Sequence, residues 1–387
     1  MQTGVGVGGS HPTPESPWRG PSRWRGAAAY ADLVRWSEPA VWREQPRGAT
    51  LDAATLSLSG LDQLKAMSSP PGLYHLTGST FENAQPREAE FSMPITGWLR
   101  SSQGAVPGGM LAVPGDGALG CAIHTELTQD YSYTTAEISF TYLRPLRVGT
   151  RVHARGRAQH VGRRLAFSTC DITDDAGRLV AYGTSRCSVF DNAASPLRGG
   201  NATPPPTPAD GDPATTDVDP FEREPAGVVL DQSVWDTNSG LDVLRGQIAG
   251  TLPAPPLHHI LGIAPVAAAE GSAECVMPLT AWLNTPWGWP QGGFVAVLAD
   301  TAVAMAVQTT VPAGTAFASV DLKVNYLRPI AATGGLLHAR ASVVHRGRSL
   351  AVATAELTDA NGRRVALATG SAQILPGRPA ALTSSRD

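Results

Sequence analysis

The chain has 387 residues, a length that predicts two or three domains at about 100–200 residues each and excludes a single small one. Apolar residues make up 42% and charged residues 16%, while 41 Gly and 32 Pro come close to one residue in five, so a core is expected with Gly and Pro gathered in loops. With 30 Lys+Arg against 33 Asp+Glu the net charge is -3, which offers no electrostatic grip on nucleic acid or an acidic membrane, and neither partner is expected.

In chain order, residues 1–27 are rich in Gly, Pro, Ser and Arg and are expected to be disordered, and residues 28–44 form a candidate helix. The amino terminus has neither the basic start nor the apolar stretch of a secretory signal. Cys121, Cys170, Cys187 and Cys275 lack a C-x-x-C spacing. Buried free thiols in a cytoplasmic chain are the expectation. Residues 61–67 read as a helix, and residues 90–93 alternate polar and apolar as a short strand. Thr135 to Tyr142 alternates strictly, residues 152–160 and 165–173 read as a hairpin across Val161-Gly162-Arg163-Arg164, and a last strand follows near 179–189.

The same order then returns. Gly60-Leu61-Asp62-Gln63-Leu64 recurs as Gly240-Leu241-Asp242-Val243-Leu244, and Pro94-Ile95-Thr96-Gly97-Trp98 as Pro278-Leu279-Thr280-Ala281-Trp282. Tyr142-Leu143-Arg144-Pro145 recurs as Tyr326-Leu327-Arg328-Pro329. Offsets of 180, 184 and 184 keep these markers in register, which is the signature of a duplicated domain. The reading is α+β: an N-terminal extension over 1–57, a first domain over 58–192, a Pro-rich linker over 193–225 lying outside both cores, and a second domain over 226–387.

Phe294 to Val307 is apolar on every face except at Asp300 and Thr301, so the helix is buried all round and Asp300 is a costly residue there. An acid in such surroundings is either bonded to the backbone of an adjacent loop or functional, and perturbed acids concentrate at active sites. The helix begins at Gln291-Gly292-Gly293, whose open amides outline an oxyanion site. Gly292 and Asp300 are about 12 Å apart along one helix, too far to serve one carbonyl. Two such helices laid antiparallel, each offering amides to the other's carboxylate, remove the difficulty.

The run Gln291-Gly292-Gly293-Phe294-Val295-Ala296-Val297-Leu298-Ala299-Asp300 resembles the His-Gly-Gly…Asp helix of hotdog-fold thioesterases of the PaaI type, and Val324-Asn325-Tyr326-Leu327-Arg328-Pro329 is similar to the strand that follows it there. The resemblance implies two tandem hotdog domains, each an antiparallel sheet around one long buried helix, joined as a pseudo-dimer that is able to assemble further. It implies hydrolysis of an acyl-CoA thioester, with CoA part of the substrate and no other cofactor or metal. Carried over by position, Asp300 attacks or activates water and Ser319 supports it; Asp116 and Thr135 match them in the first half, with Gly108 and Gly292 as the oxyanion amides. The family's His is Gln291 here and Pro107 in the first copy. Pro114, with Gly115 and Gly117, is expected to break the first helix and misplace Asp116. The better site is therefore expected to combine Asp300 and Ser319 with Gly108, and the weaker one Asp116 and Thr135 with Gln291 and Gly292. Arg163, Arg164, Arg346 and Arg348, on the hairpin turns, are candidates for the CoA phosphates. The alternative function is a non-catalytic acyl-CoA or acyl-chain binding scaffold of the same fold. Two G-x-G-x-x-G matches, at Gly4 and Gly115, lack the strand–turn–helix context of a nucleotide site.

Overall fold

The structure is a computed structural model describing residues 41–192, 218–330 and 335–381. The disorder expected over 1–27, the candidate helix up to residue 40 and the linker over 193–217 lie outside these residues. In the first half, β1 (Thr80–Gln85) and β2 (Glu88–Pro94) precede a central helix, Ala112–His124, and β3 (Tyr131–Tyr142), β4 (Arg151–Val161), β5 (Leu165–Asp174) and β6 (Leu179–Asp191) follow it. The second half repeats the plan: β7 (Ala264–Ala269), β8 (Ser272–Pro278), the central helix Gly292–Gln308, then β9 (Thr315–Tyr326), β10 (Leu336–Arg346), β11 (Leu350–Thr358) and β12 (Arg364–Pro376). These are the two tandem hotdogs.

The twelve strands form one sheet in the order β1-β2-β4-β5-β6-β3-β9-β12-β11-β10-β8-β7. Its centre is the pair of strictly alternating segments: β3 runs antiparallel to β9, with Ile138 opposite Val324 and Phe140 opposite Leu322. All four are buried, so the period-two pattern that makes each a strand also aims one apolar face of the joint at the helices. On the same joint the Glu137 carboxylate, itself buried, meets Arg186 at 3.3 Å and Lys323 at 3.8 Å, a tie between the halves.

The first central helix is not broken. A 3-10 turn over Gly108–Leu111 leads straight into the α-helix, where Pro114 is the third residue. In a first turn the N–H that proline lacks has no intrahelical partner to lose. The nearby glycines serve close packing: a side-chain carbon at Gly115 would stand 2.5 Å from the Phe140 ring, at Gly117 2.9 Å from Phe91, and at Gly120 2.4 Å from the Tyr133 hydroxyl. Bulky strand residues thereby reach the helix surface.

Two stretches assigned to extension and linker belong to the packed structure. Residues 218–225 lie on the first half, where Asp219 pairs with His75 at 2.8 Å and the Arg223 carbonyl accepts from Trp98 Nε1. Residues 44–51 reach the second half, with the Glu44 carbonyl accepting from Trp282 Nε1 and the Leu51 amide donating to the Pro286 carbonyl. All four cysteines are buried and free, as their spacing implies.

Candidate active site

The two central helices exchange backbone donors for carboxylates. The Gly293 N–H donates to Asp116 Oδ2 at 3.0 Å, and the Gly109 N–H donates to Asp300 Oδ2 at 3.1 Å. Residue 109 faces 300 and residue 116 faces 293, so the helices are antiparallel, and each carboxylate sits at the positive end of the other half's helix. The amides that bond the carboxylates are those of Gly109 and Gly293, next in sequence to Gly108 and Gly292, the residues expected as oxyanion amides. Gly292 still faces its carboxylate and helps to hold its pKa down. Gly108 is covered: a side-chain carbon there would lie 2.5 Å from the Tyr142 ring.

Both acids are buried, Asp116 with 8% of its surface exposed and Asp300 with 1%. Burial raises the Asp116 carboxyl to about 6 against the Gly293, Thr135 and Gly292 hydrogen bonds that lower it. It raises Asp300 to about 7, with Gly109 and Ser319 pulling the other way. Thr135 Oγ1 donates to Asp116 Oδ1 at 3.3 Å, so both Asp116 oxygens have a partner. Asp300 Oδ1 makes no well-formed hydrogen bond, the Ser319 hydroxyl acting on the carboxylate only through a looser contact.

A cavity of about 1090 Å³ opens beside Asp116. Asp116, Gly117, Cys121 and His124 line it along one stripe of the first central helix, facing Tyr133, Thr135, Gln291, Gly292 and Tyr326. Asp300, Ser319 and Gly108 are not among its lining residues, so the cavity lies beside the acid that was expected to belong to the weaker site. Offset by 184, Thr301 and Met305 stand where Gly117 and Cys121 leave room. Gln291 Nε2 donates to the Val113 carbonyl across the halves at 2.9 Å, and its Oε1 is buried without a partner. Tyr326 donates its hydroxyl to the Gly292 carbonyl at 2.7 Å and stands further from that glycine than Tyr142 does from Gly108: a side-chain carbon at Gly292 would lie 3.3 Å from the Tyr326 hydroxyl and 3.2 Å from Asp116 Oδ2.

The far end of the cavity is locked between halves. Gln63 Nε2 donates to the Leu56 and Leu58 carbonyls, which leaves its Oε1 to accept from Trp287 Nε1 at 3.0 Å and meet His124 Nε2 at 3.1 Å. His124 Nε2 therefore carries the proton, and burial drops the imidazole to about 4, so the ring is neutral. Among the described residues no group of His, Cys, Asp and Glu is arranged to hold a metal, and no helix is long and apolar enough to cross a membrane.

Of the four arginines proposed for CoA, none lines the cavity. All are exposed; Arg346 is bound to Thr310 Oγ1 at 3.1 Å. Arg328, at the exposed rim beside Leu327 and Pro329, does line it. Sequence reasoning also missed Tyr133, His124, Gln63 and Trp287. Tyr133 had a signal, because it precedes Thr135 by two residues on an alternating strand and so shares its face.

The family model of the thioesterase superfamily matches twice, over residues 103–181 and 292–366. A Halobacterium salinarum protein named as a candidate esterase is 35% identical over 129 residues, 30% of this chain and 83% of that protein. The chain belongs to the thioesterase superfamily. A Vibrio cholerae protein named as a candidate esterase is 28% identical over 147 residues, covering 38% of this chain and 93% of the relative. The TesB protein of Mycobacterium avium subspecies paratuberculosis is 12% identical with a TM-score of 0.50, over 79% of this chain and 98% of that one; at that identity the likeness is one of fold. Each family match contains one of the two carboxylates on its central helix, Asp116 in the first and Asp300 in the second. This is a thioesterase-family enzyme made of two copies of the unit.

Proposed function

We propose that this enzyme hydrolyses an acyl-CoA thioester to the free acid and CoA at one site, built on Asp116, with PaaI-type use of a helix-borne carboxylate. The observation that carries the reading is the cavity beside a buried acid held at the N-terminus of the other half's helix. A carboxyl at about 6 is ionised at neutral pH yet basic enough to take a proton from water. Both its oxygens already accept hydrogen bonds, which damps direct attack, so Asp116 acts as general base. Water adds to the thioester carbon and gives its proton to Asp116. The Gly292 N–H, the weakest of the three donors facing Asp116, turns to the oxyanion as the carboxylate takes up its proton, and Thr135 and Gly293 hold the carboxylate in place. Collapse breaks the C–S bond, and the proton on Asp116 passes to the departing CoA thiolate. Gln291 fixes the entrance to the second helix by its bond to Val113. Arg328 meets the CoA phosphates at the rim, with the exposed turn arginines left in solvent.

The test is turnover of an acyl-CoA panel, read as free thiol, by the wild type and by Asp116→Asn. Turnover that Asp116→Asn abolishes and Asp300→Asn leaves is the expected result. Binding of acyl-CoA without turnover by the wild type would instead make the chain an acyl-CoA binding scaffold.

A further inference from the structure

The wall of the cavity next to Asp116 carries a hydroxyl that the hydrolytic step does not use. Tyr133 and Thr135 lie two residues apart on β3 and face the first central helix together. Thr135 bonds Asp116. Tyr133 lies over Gly120, one helical turn further on, where a side-chain carbon would come within 2.4 Å of its hydroxyl. The ring is fixed by a tilted contact with His124, 5.8 Å between centroids. Tyr133 is half-buried and lines the cavity, and among the described residues its hydroxyl makes no hydrogen bond. Burial keeps the phenol protonated, so it remains a donor as well as an acceptor.

The other half lacks the arrangement. At the matching positions Phe317 replaces Tyr133 and Ala304 replaces Gly120: the hydroxyl is gone, and with it the need for a residue without a side chain. A hydroxyl that opens to the cavity and is not committed within the protein is available to a polar group of whatever enters it. Here it persists only in the half whose acid faces the cavity.

We infer that Tyr133 is a substrate-binding, specificity-determining residue whose hydroxyl pairs with an oxygen carried by the acyl chain close to the thioester. Gly120 is four residues from Asp116, about 6 Å along the helix, which puts that oxygen at about the third carbon of the acyl group. The favoured substrates are 3-hydroxyacyl or 3-oxoacyl thioesters over unsubstituted ones. The inference rests on the acyl-CoA reading above and adds to it the chemistry of the acyl group.

The experiment compares a 3-hydroxyacyl-CoA with the unsubstituted acyl-CoA of equal length, for the wild type, Tyr133→Phe, Gly120→Ala and the double variant. Phe317 and Ala304 show that the fold accepts the double replacement. The ratio of kcat/KM between the two substrates is expected to fall about tenfold in Tyr133→Phe, the cost of leaving one polar group unpaired. Gly120→Ala displaces the hydroxyl and is expected to give a similar fall, with the double variant adding nothing. An unchanged ratio, or a wild type with no preference for the oxygenated substrate, would overturn the assignment. Calorimetry with the corresponding non-hydrolysable thioethers of CoA separates the two levels of the reading. If neither ester is hydrolysed, the hydrolase reading fails, yet tighter binding of the oxygenated thioether, lost in Tyr133→Phe, still supports the role of Tyr133. Equal affinity for both thioethers overturns it.

Discussion

Two carboxylates related by the duplication meet the same kind of backbone donor and end in different circumstances. Asp116 has a partner on each oxygen and a cavity beside it; Asp300 is almost sealed, with one oxygen lacking a well-formed hydrogen bond. The glycine-rich helix, which looked the weaker by propensity, is the one that makes room, because Gly117 and Cys121 are small where Thr301 and Met305 are not. Opposite them, Tyr142 packs tightly on Gly108, whereas Tyr326 bonds the Gly292 carbonyl and packs more loosely on that glycine, which also faces the acid. A regular helix positions an acid well, but a reaction also needs space for the substrate, and close packing withholds it.

The sharpest way to break the comparison is to neutralise each acid. Asp116→Asn should lower kcat/KM by about 10² to 10⁴, the usual worth of a general base, while Asp300→Asn should change it by less than about threefold; similar losses at both would mean two working sites. Next in size, importing the second half's side chain as Cys121→Met should fill the cavity along the helix and cost about tenfold or more in kcat/KM for bulky acyl groups, mostly through KM, with smaller losses for short ones. A uniform loss across acyl sizes would mean that the cavity does not hold the acyl group.

The pH dependence sharpens the same contrast. The base works ionised, so kcat/KM should fall about tenfold per pH unit on the acid side of about 6 if Asp116 is responsible, and of about 7 if Asp300 is. The smallest effect is on stability. Burial raises the Asp300 carboxyl from 3.8 to about 7, so its ionisation opposes folding: stability is complete below pH 3.8 and is lost as pH rises through about 7. Asp300→Asn removes that loss, offset by the unpaired amide it introduces. About 1–3 kcal/mol and a few degrees in Tm should be gained at pH 8, with no gain near pH 4. A gain that persists at pH 4 would place its cause elsewhere.

Much of this protein is written locally. The repeat markers, the strict alternation of 135–142 and 319–326 and the all-round apolar helix from Phe294 follow from side-chain periodicity, which neighbouring residues fix. The exchange of amides and carboxylates between antiparallel helices was legible too, because the distance of about 12 Å between Gly292 and Asp300 is too long for one helix and two antiparallel helices remove the difficulty. The choice of site was not. Whether Pro114 breaks a helix depends on which turn it occupies, and whether a glycine weakens a helix or admits a ring depends on Phe140, Phe91 and Tyr133, which arrive from strands distant in sequence. The cavity is bounded by Gln63 and His124 from one half and Trp287, Gln291 and Tyr326 from the other, so its volume is a property of their packing and of no single segment. Sequence alone determined that there are two hotdogs and two buried acids; only the tertiary structure shows the cavity beside Asp116, because empty space is set by every side chain around it at once.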